Sequence, residues 1–213
     1  MTTFILIRHG ESEANRHGIF AGQIDPDLQN RGIMQAKKTA KYISEHYKVD
    51  KIYASDLKRA FRTAECLAET LCLDVTPKKE LREINGGAWE GVKFDELPLL
   101  YPEAYATWLN DIGVSYCTGG ESVKQLGERI MHILTEIAKE NDGKTVAIAT
   151  HATPIRVAQS LIKTHGVEEM KNIPWVSNAS VTIFEYSDEN WTIKAESIDA
   201  HLEELKTSLP KNV

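Results

Sequence analysis

A stretch near the start of the chain decides the fold: residues 3–10 read TFILIRHG. Its first five residues form a continuous apolar and β-branched run, which is typical of a strand buried on both faces of a parallel sheet. A second stretch, residues 144–152 (KTVAIATHA), repeats this design and also ends in a histidine. Because the carboxyl ends of parallel strands meet at one edge of a sheet, we expect His9 and His151 to face a common site there.

Helical and strand patterns alternate around these two stretches. Apolar positions at three- and four-residue steps predict helices over residues 30–47, 57–71, 121–140 and 154–164. Further strands are predicted over residues 51–54, 180–186 and 191–198. Ser55 and Asp56 are predicted to cap the helix that begins at Leu57. The alternation predicts an α/β fold: a three-layer α/β/α sandwich with a mostly parallel central sheet.

Residues 80–120 interrupt this alternation. They are rich in glycine and proline and contain only short helical patterns, such as the one over residues 102–110. We interpret them as an excursion from the sheet inside a single domain that spans residues 1–213. With 42% hydrophobic residues, the chain has enough apolar material for one well-buried core.

Composition excludes several classes of protein. A formal net charge of -6 argues against binding of nucleic acid by bulk electrostatics. No apolar run reaches the ~18 to 20 residues that cross a bilayer, and the first residues lack a signal-peptide pattern, so we expect a cytoplasmic protein without a membrane partner. The spacing of Cys66, Cys72 and Cys117 indicates packing roles rather than disulfides or a zinc site. Because clustered ligand spacing is absent from the sequence, we expect neither a metal nor a cofactor.

Arginines accompany the expected histidine site. Arg8 ends the first strand, and Arg59 and Arg62 lie three residues apart near the start of a predicted helix. Helix N-termini and guanidinium groups both favour anions, so this arrangement indicates a phosphate site. The alternative for Arg59 and Arg62 is a solvated helix face that pairs with Glu65 or Glu69.

Five motifs in the chain resemble, in the expected order, those of one protein family. They are RHGESEAN at 8–15, SDLKRAFRTA at 55–64, the LRE to GAWEG segment at 81–91, GGES at 119–122 and VAIATH at 146–151. On these residues the chain is identified as a member of the histidine phosphatase superfamily, the group that contains the cofactor-dependent phosphoglycerate mutases.

The resemblance implies roles for the motif residues. It makes His9 the nucleophile that forms a phosphohistidine, and Glu83 the proton donor. It also implies that Arg8, Arg59 and His151 bind the phosphoryl oxygens. The chemistry needs these residue types, because fixed guanidinium groups match the charge spread over the equatorial oxygens during phosphoryl transfer.

Other positions are assigned on the same resemblance. Asn15 and Arg62 match pocket positions that contact phosphate or the leaving group, although Asn15 can equally be a turn residue. Trp89 is expected to be a buried tryptophan that holds the loop carrying Glu83, rather than a substrate wall. The role of His201 is left open, because the C-terminus in this superfamily often folds over the pocket.

The expected function is that of a histidine acid-type phosphatase: a metal-independent phosphomonoesterase that hydrolyses a small phosphorylated metabolite. A cofactor-dependent phosphoglycerate mutase is the first alternative, but the mutases carry a longer insertion between the positions of Glu83 and His151. A metal-independent phosphoserine phosphatase is another, although Gly86 stands where that subgroup has a histidine. An inactive phospholigand-binding module is a third. The oligomeric state is left open, with a homodimer as one possibility.

Overall fold

The computed structural model describes residues 1–207 and shows a six-stranded sheet. The strands are β1 (Thr2–Arg8), β2 (Lys51–Ala54), β3 (Val75–Pro77), β4 (Thr145–Thr150), β5 (Val181–Ser187) and β6 (Asn190–Ile198). Their order in the sheet is β3-β2-β4-β1-β5-β6. The first four in this order are mutually parallel, whereas β5 and β6 pair antiparallel at one edge. The sheet is therefore mostly parallel, as predicted.

Helices cover both faces of this sheet. They are α1 (Glu13–His17), α2 (Asn30–His46), α3 (Lys58–Leu71), α4 (Leu97–Leu100), α5 (Pro102–Asn110), α6 (Val123–Glu140) and α7 (Ala152–Thr164). Neighbouring residues of β1 point to opposite faces: Ile5 and Ile7 join one buried cluster, and Phe4 and Leu6 join the other. Apolar residues of α2 and α3 complete the first cluster, and those of α6 and α7 complete the second. This arrangement confirms the three-layer α/β/α architecture.

The excursion over residues 80–120 packs onto the face of the sheet that α6 and α7 cover. It contains α4, α5 and single-turn helices at Gly87–Trp89 and Ile112–Val114, and a further single-turn helix at Lys79–Leu81 leads into it. Trp89 is fully buried and packs edge-on against Phe20 and Trp108. The interpretation of Trp89 as a buried anchor of this loop is confirmed.

The prediction that Ser55 and Asp56 cap α3 is wrong. The cap position is Leu57, and no side chain of its own caps the helix. The amide of Lys58 instead donates to Oδ1 of Asp25 at 2.7 Å, and Asp56 is held by two bonds from Arg82. A loop distant in sequence therefore supplies the cap, and the Ser55 hydroxyl accepts from the amide of Leu57 instead.

The three cysteines are free and differ in burial. Cys117 is buried and Cys66 is partly buried, which agrees with packing roles. Cys72 is exposed and ends α3 in the left-handed conformation (φ 55°), so the packing role predicted for it is wrong. Within residues 1–207, no helix combines the length and the apolar character needed to cross a membrane.

Candidate active site

The register of the parallel strands brings the two predicted histidines together. Arg8 pairs with Thr150 across β1 and β4, so His9 and His151 leave neighbouring strands at the same level. Their rings lie edge to face with centroids 5.1 Å apart. Gly10 is needed for the turn that follows, because a Cβ atom there would lie 2.3 Å from the carbonyl oxygen of Gly32. The expectation of a common edge for the two histidines agrees with this geometry.

A cavity opens at this edge of the sheet, and most of the predicted site residues line it. Its polar wall comprises Arg8, His9, Ser12, Asn15, Arg59, Glu83, Thr153, Asn178 and Thr207. Its apolar wall includes Ile19, Phe20, Phe94, Trp108 and Trp175. His151 lies behind this surface, fully buried against His9. The cavity thus joins a cationic end to a largely apolar end.

The surroundings of His9 fix the state of its ring. Its Nδ1 atom lies 2.7 Å from the carbonyl oxygen of Gly10. A carbonyl can only accept, so Nδ1 carries the proton and Nε2 keeps its lone pair. Burial, together with the charges of Arg59 and Arg8, holds the pKa of His9 well below its usual value. The ring is therefore held in its neutral form, with the lone pair on Nε2.

Two buried arginines supply positive charge to the cavity. Arg59 donates from Nη1 to the carbonyl of Ile24 at 2.9 Å and from Nη2 to that of Gly22 at 2.7 Å. Arg8 donates from Nη1 to the carbonyl of Val176, and its buried Nε has no partner among residues 1–207. Burial lowers the pKa of each guanidinium to about 10, so both remain charged near neutral pH. Their orientation is fixed before any anion arrives.

Glu83 is the carboxyl group of the cavity. It is partly buried, and its Oε1 accepts from the amide of Ile84 at 2.9 Å, while Oε2 lies 3.5 Å from the amide of Thr153. Burial raises the pKa of Glu83, and the Ile84 amide and Arg59 oppose this shift. A raised pKa is what a general acid near neutral pH needs.

Arg129 of α6 holds the loop that carries Glu83, and sequence reasoning missed it. Its guanidinium donates to the carbonyls of Glu80, Arg82 and Glu83 and pairs with both carboxylate oxygens of Glu121. In the sequence, Arg129 looks like any polar residue of an amphipathic helix. Glu121 belongs to the GGES motif, whose role here is to orient this arginine.

Two asparagines meet beside His9. Oδ1 of Asn15 accepts from the amide and hydroxyl of Ser12, which caps α1, and from Nδ2 of Asn178. Asn178 also donates to the carbonyl of His9 at 3.0 Å. The alternative of a turn residue is wrong, because Asn15 lies in the first turn of α1 and forms its capping box with Ser12. Asn15 also lines the cavity, and its Nδ2 has no partner among residues 1–207. No motif in the sequence pointed to Asn178.

Arg62 and His201 lie outside the residues that line the cavity. Arg62 is half exposed and pairs with Asp27 at 3.2 Å, so the structure does not bring it to the cationic end of the cavity. His201 stacks on Tyr42 and lies 2.9 Å from Oγ1 of Thr39. The segment that carries His201 continues to Thr207, which does line the cavity.

The surroundings of Gly86 explain one departure from the phosphoserine phosphatase pattern. A Cβ atom at this position would lie 2.7 Å from the ring of Phe20 and 2.8 Å from Cγ of Glu90. The Gly86 amide also donates to the Glu90 carboxylate at 2.9 Å. A histidine side chain at Gly86 would therefore require both neighbours to move.

Comparisons with known proteins agree with this geometry. The chain is 33% identical to "Phosphoserine phosphatase 1" of Hydrogenobacter thermophilus over an aligned length of 214 residues, which covers 100% of both chains. It is 34% identical over 206 residues, 95% of this chain and 84% of the other, to "Metal-independent phosphoserine phosphatase" of Arabidopsis thaliana. The solved structure of Bacillus stearothermophilus YhfR superposes with a TM-score of 0.90 at 27% identity, over 95% of this chain and 100% of that chain. Residues 4–199 match the model of the histidine phosphatase superfamily, branch 1. Fold, motifs and similarity over the whole length lead to the same conclusion: the chain belongs to the histidine phosphatase superfamily.

Proposed function

We propose that the protein is a phosphomonoesterase that transfers the phosphoryl group of a small ester to Nε2 of His9 and then to water. One observation carries the proposal: a neutral His9 with a free Nε2 lines the same cavity as two fixed guanidinium groups and a carboxyl of raised pKa. Nucleophile, charge stabilisation and proton donor are the three components that this reaction requires.

In the first half of the reaction, Nε2 of His9 attacks phosphorus and the bond from phosphorus to the ester oxygen breaks. Arg8 and Arg59 stabilise the negative charge on the equatorial oxygens. Glu83 gives its proton to the departing oxygen, so the leaving group departs as a neutral alcohol. The products of this step are phospho-His9 and ionised Glu83.

In the second half, Glu83 acts as a base. It takes a proton from a water molecule whose oxygen attacks phosphorus, and the bond from phosphorus to nitrogen breaks. Inorganic phosphate leaves, and His9 and Glu83 return to their starting protonation states. The Nδ1–H of His9 keeps its bond to the Gly10 carbonyl throughout, so the same nitrogen is presented in every cycle.

The names of the relatives support a small phosphate ester as substrate, and phosphoserine is one candidate. The tight packing around Gly86 departs from the pattern of that subgroup. We therefore leave the leaving group unassigned and propose the reaction class. Arg62 is not part of the proposed site, because its side chain pairs with Asp27 outside the cavity.

Hydrolysis and mutase activity are separated by the fate of phospho-His9. With 3-phosphoglycerate and a catalytic amount of 2,3-bisphosphoglycerate, we expect little 2-phosphoglycerate, because only a short excursion covers the pocket and water reaches the intermediate. With a good phosphomonoester from a metabolite panel, inorganic phosphate should accumulate at a rate that the bisphosphate does not change. Isomerisation at roughly ten or more turnovers per second with almost no free phosphate would instead show a mutase.

Chelation should leave activity intact. Arg8 and Arg59 already provide the positive charge that a metal ion would otherwise supply to the phosphoryl oxygens. We expect the same kcat for p-nitrophenyl phosphate before and after dialysis against EDTA. Loss of turnover that magnesium or zinc restores would contradict this expectation.

A further inference from the structure

Ser55 occupies a special place in the sheet. It directly follows β2, as His151 follows β4 and His9 follows β1. Strand β4 lies between β2 and β1, so the three residues leave adjacent parallel strands at one edge. Ser55 and His151 are both 0% exposed. Ser55 therefore lies on the far side of His151 from the proposed nucleophile.

The hydrogen bonds of Ser55 define how its hydroxyl is oriented. Oγ lies 2.9 Å from Nε2 of His151, and it accepts from the amide of Leu57 at 3.3 Å. If Nε2 carried the proton, the buried hydroxyl hydrogen of Ser55 would have no acceptor among residues 1–207. If the hydroxyl donates to Nε2 instead, the Ser55 hydroxyl, Nε2 and the Leu57 amide are all paired, and Nδ1 of His151 is the one group of this set without a partner among residues 1–207. The opposite tautomer leaves two groups unpaired, the hydroxyl hydrogen and the Nδ1 lone pair, so the cost of unpaired buried polar groups favours donation by Ser55.

Donation from Ser55 to Nε2 also determines whether the other ring nitrogen of His151 carries a proton. With Nε2 as an acceptor, the proton of the neutral ring lies on Nδ1. Nδ1 is buried and has no partner among the described residues, and the ring that carries it packs 5.1 Å from that of His9. A phosphoryl group on His9 would supply the missing acceptor. The opposite tautomer would present a lone pair to the negatively charged oxygens.

We propose that Ser55 is a positioning residue: it holds His151 in the tautomer with the proton on Nδ1, so that this N–H donates to the transferred phosphoryl group. The inference rests on the proposed function for its catalytic consequence, but the tautomer itself is a property of the free enzyme. Burial, followed by the charge of Arg59, holds the pKa of His151 well below its usual value, which agrees with a neutral ring.

The tautomer can be measured directly. Long-range 1H–15N correlation spectra of the 15N-labelled enzyme distinguish protonated from unprotonated ring nitrogens, and a His151→Asn variant identifies the signals. We expect a protonated Nδ1 and an unprotonated Nε2 for His151 in the wild type. We expect Ser55→Ala to lose this pattern and Ser55→Thr, which keeps the hydroxyl, to retain it. A wild-type spectrum with the proton on Nε2 would overturn the proposal, even if the variants failed to fold.

Activity and anion binding provide the second readout. Ser55→Ala should lower kcat/KM for p-nitrophenyl phosphate roughly 10- to 100-fold and weaken binding of inorganic phosphate, since a buried partner loses its bond. Ser55→Thr should recover most of the loss. Ser160→Ala is the matched control, because Ser160 on α7 is equally buried and its hydroxyl donates, among the described residues, to the carbonyl of Gly166 just after that helix. Equal activity in Ser55→Ala and Ser160→Ala would refute the role of Ser55. A wild-type enzyme that shows the expected tautomer but hydrolyses no phosphate ester would refute only the proposed function.

Discussion

Replacing His9 with alanine is expected to lower turnover of p-nitrophenyl phosphate by roughly 10⁴-fold or more, since removal of a nucleophile eliminates the covalent route. The side chain is only 4% exposed, so the fold of the variant should be checked by thermal denaturation. His17→Ala is the matched control, because His17 is exposed on α1, lies 3.6 Å from the carboxylate of Glu13 and is not among the residues that line the cavity.

The intermediate provides an independent test of the same assignment. Wild-type enzyme mixed with 32P-labelled substrate and quenched in alkaline detergent should carry a phosphate that is stable in base and released by acid, as expected for a bond from phosphorus to nitrogen. Because Nδ1 of His9 is committed to the Gly10 carbonyl, NMR of the labelled protein should place the phosphate on Nε2. Label on a serine, label that persists in His9→Ala, or full activity of that variant would remove His9 from the mechanism.

Replacing Glu83 with glutamine should produce the second largest effect, and its size should depend on the leaving group. A general acid contributes about 10²- to 10⁴-fold, and an alkyl phosphate needs all of that assistance. An aryl phosphate has a leaving group that needs less protonation, so the variant should lose less kcat on an aryl ester than on an alkyl ester. Parallel measurements of kcat on alkyl and aryl esters check this expectation.

Glu80→Gln is a suitable control for the Glu83 variant. Glu80 lies on the same loop but outside the residues that line the cavity. The affinity of Glu83→Gln for inorganic phosphate should stay close to that of the wild type, since Arg8 and Arg59 are unchanged. Equal losses on the two kinds of ester would make Glu83 a structural partner of the arginines rather than the acid.

The pKa shifts also predict the pH dependence of kcat/KM. His9 must be neutral, and its pKa lies below the usual 6.5, so activity should persist into mildly acidic solution. Glu83 must be protonated, and its pKa lies above the usual 4.5, so activity on alkyl phosphates should fall as pH rises through that raised value. A pH profile of Glu83→Gln should therefore lose the alkaline decline and keep the acidic one.

The sequence was sufficient to predict the architecture and the residue types of the site. Buried strands are recognisable because residues 3–7 and 145–150 form continuous apolar runs, and period-3.6 patterns marked the long helices. The short strand β3 and helix α1 were not predicted, since three to five residues give too little periodicity. The motifs predicted arginines, histidines and one carboxyl group as site residues. Arg8, His9, Arg59 and Glu83 line the cavity, whereas His151 and Arg62 do not.

Tertiary structure decided which atoms of those residues are available for chemistry. The proton on Nδ1 of His9, the contact between Ser55 and His151, and the support that Arg129 gives to Glu83 all depend on groups brought together by the fold. The same holds for Arg62 on α3, whose partner Asp27 lies in the loop before α2. By itself the sequence determined the longer strands, the long helices and the chemical types at the strand ends, because local apolar patterns and motifs encode them. Only the folded structure decided tautomers, pKa shifts and hydrogen-bond partners, because these depend on burial and on side chains far apart in the chain.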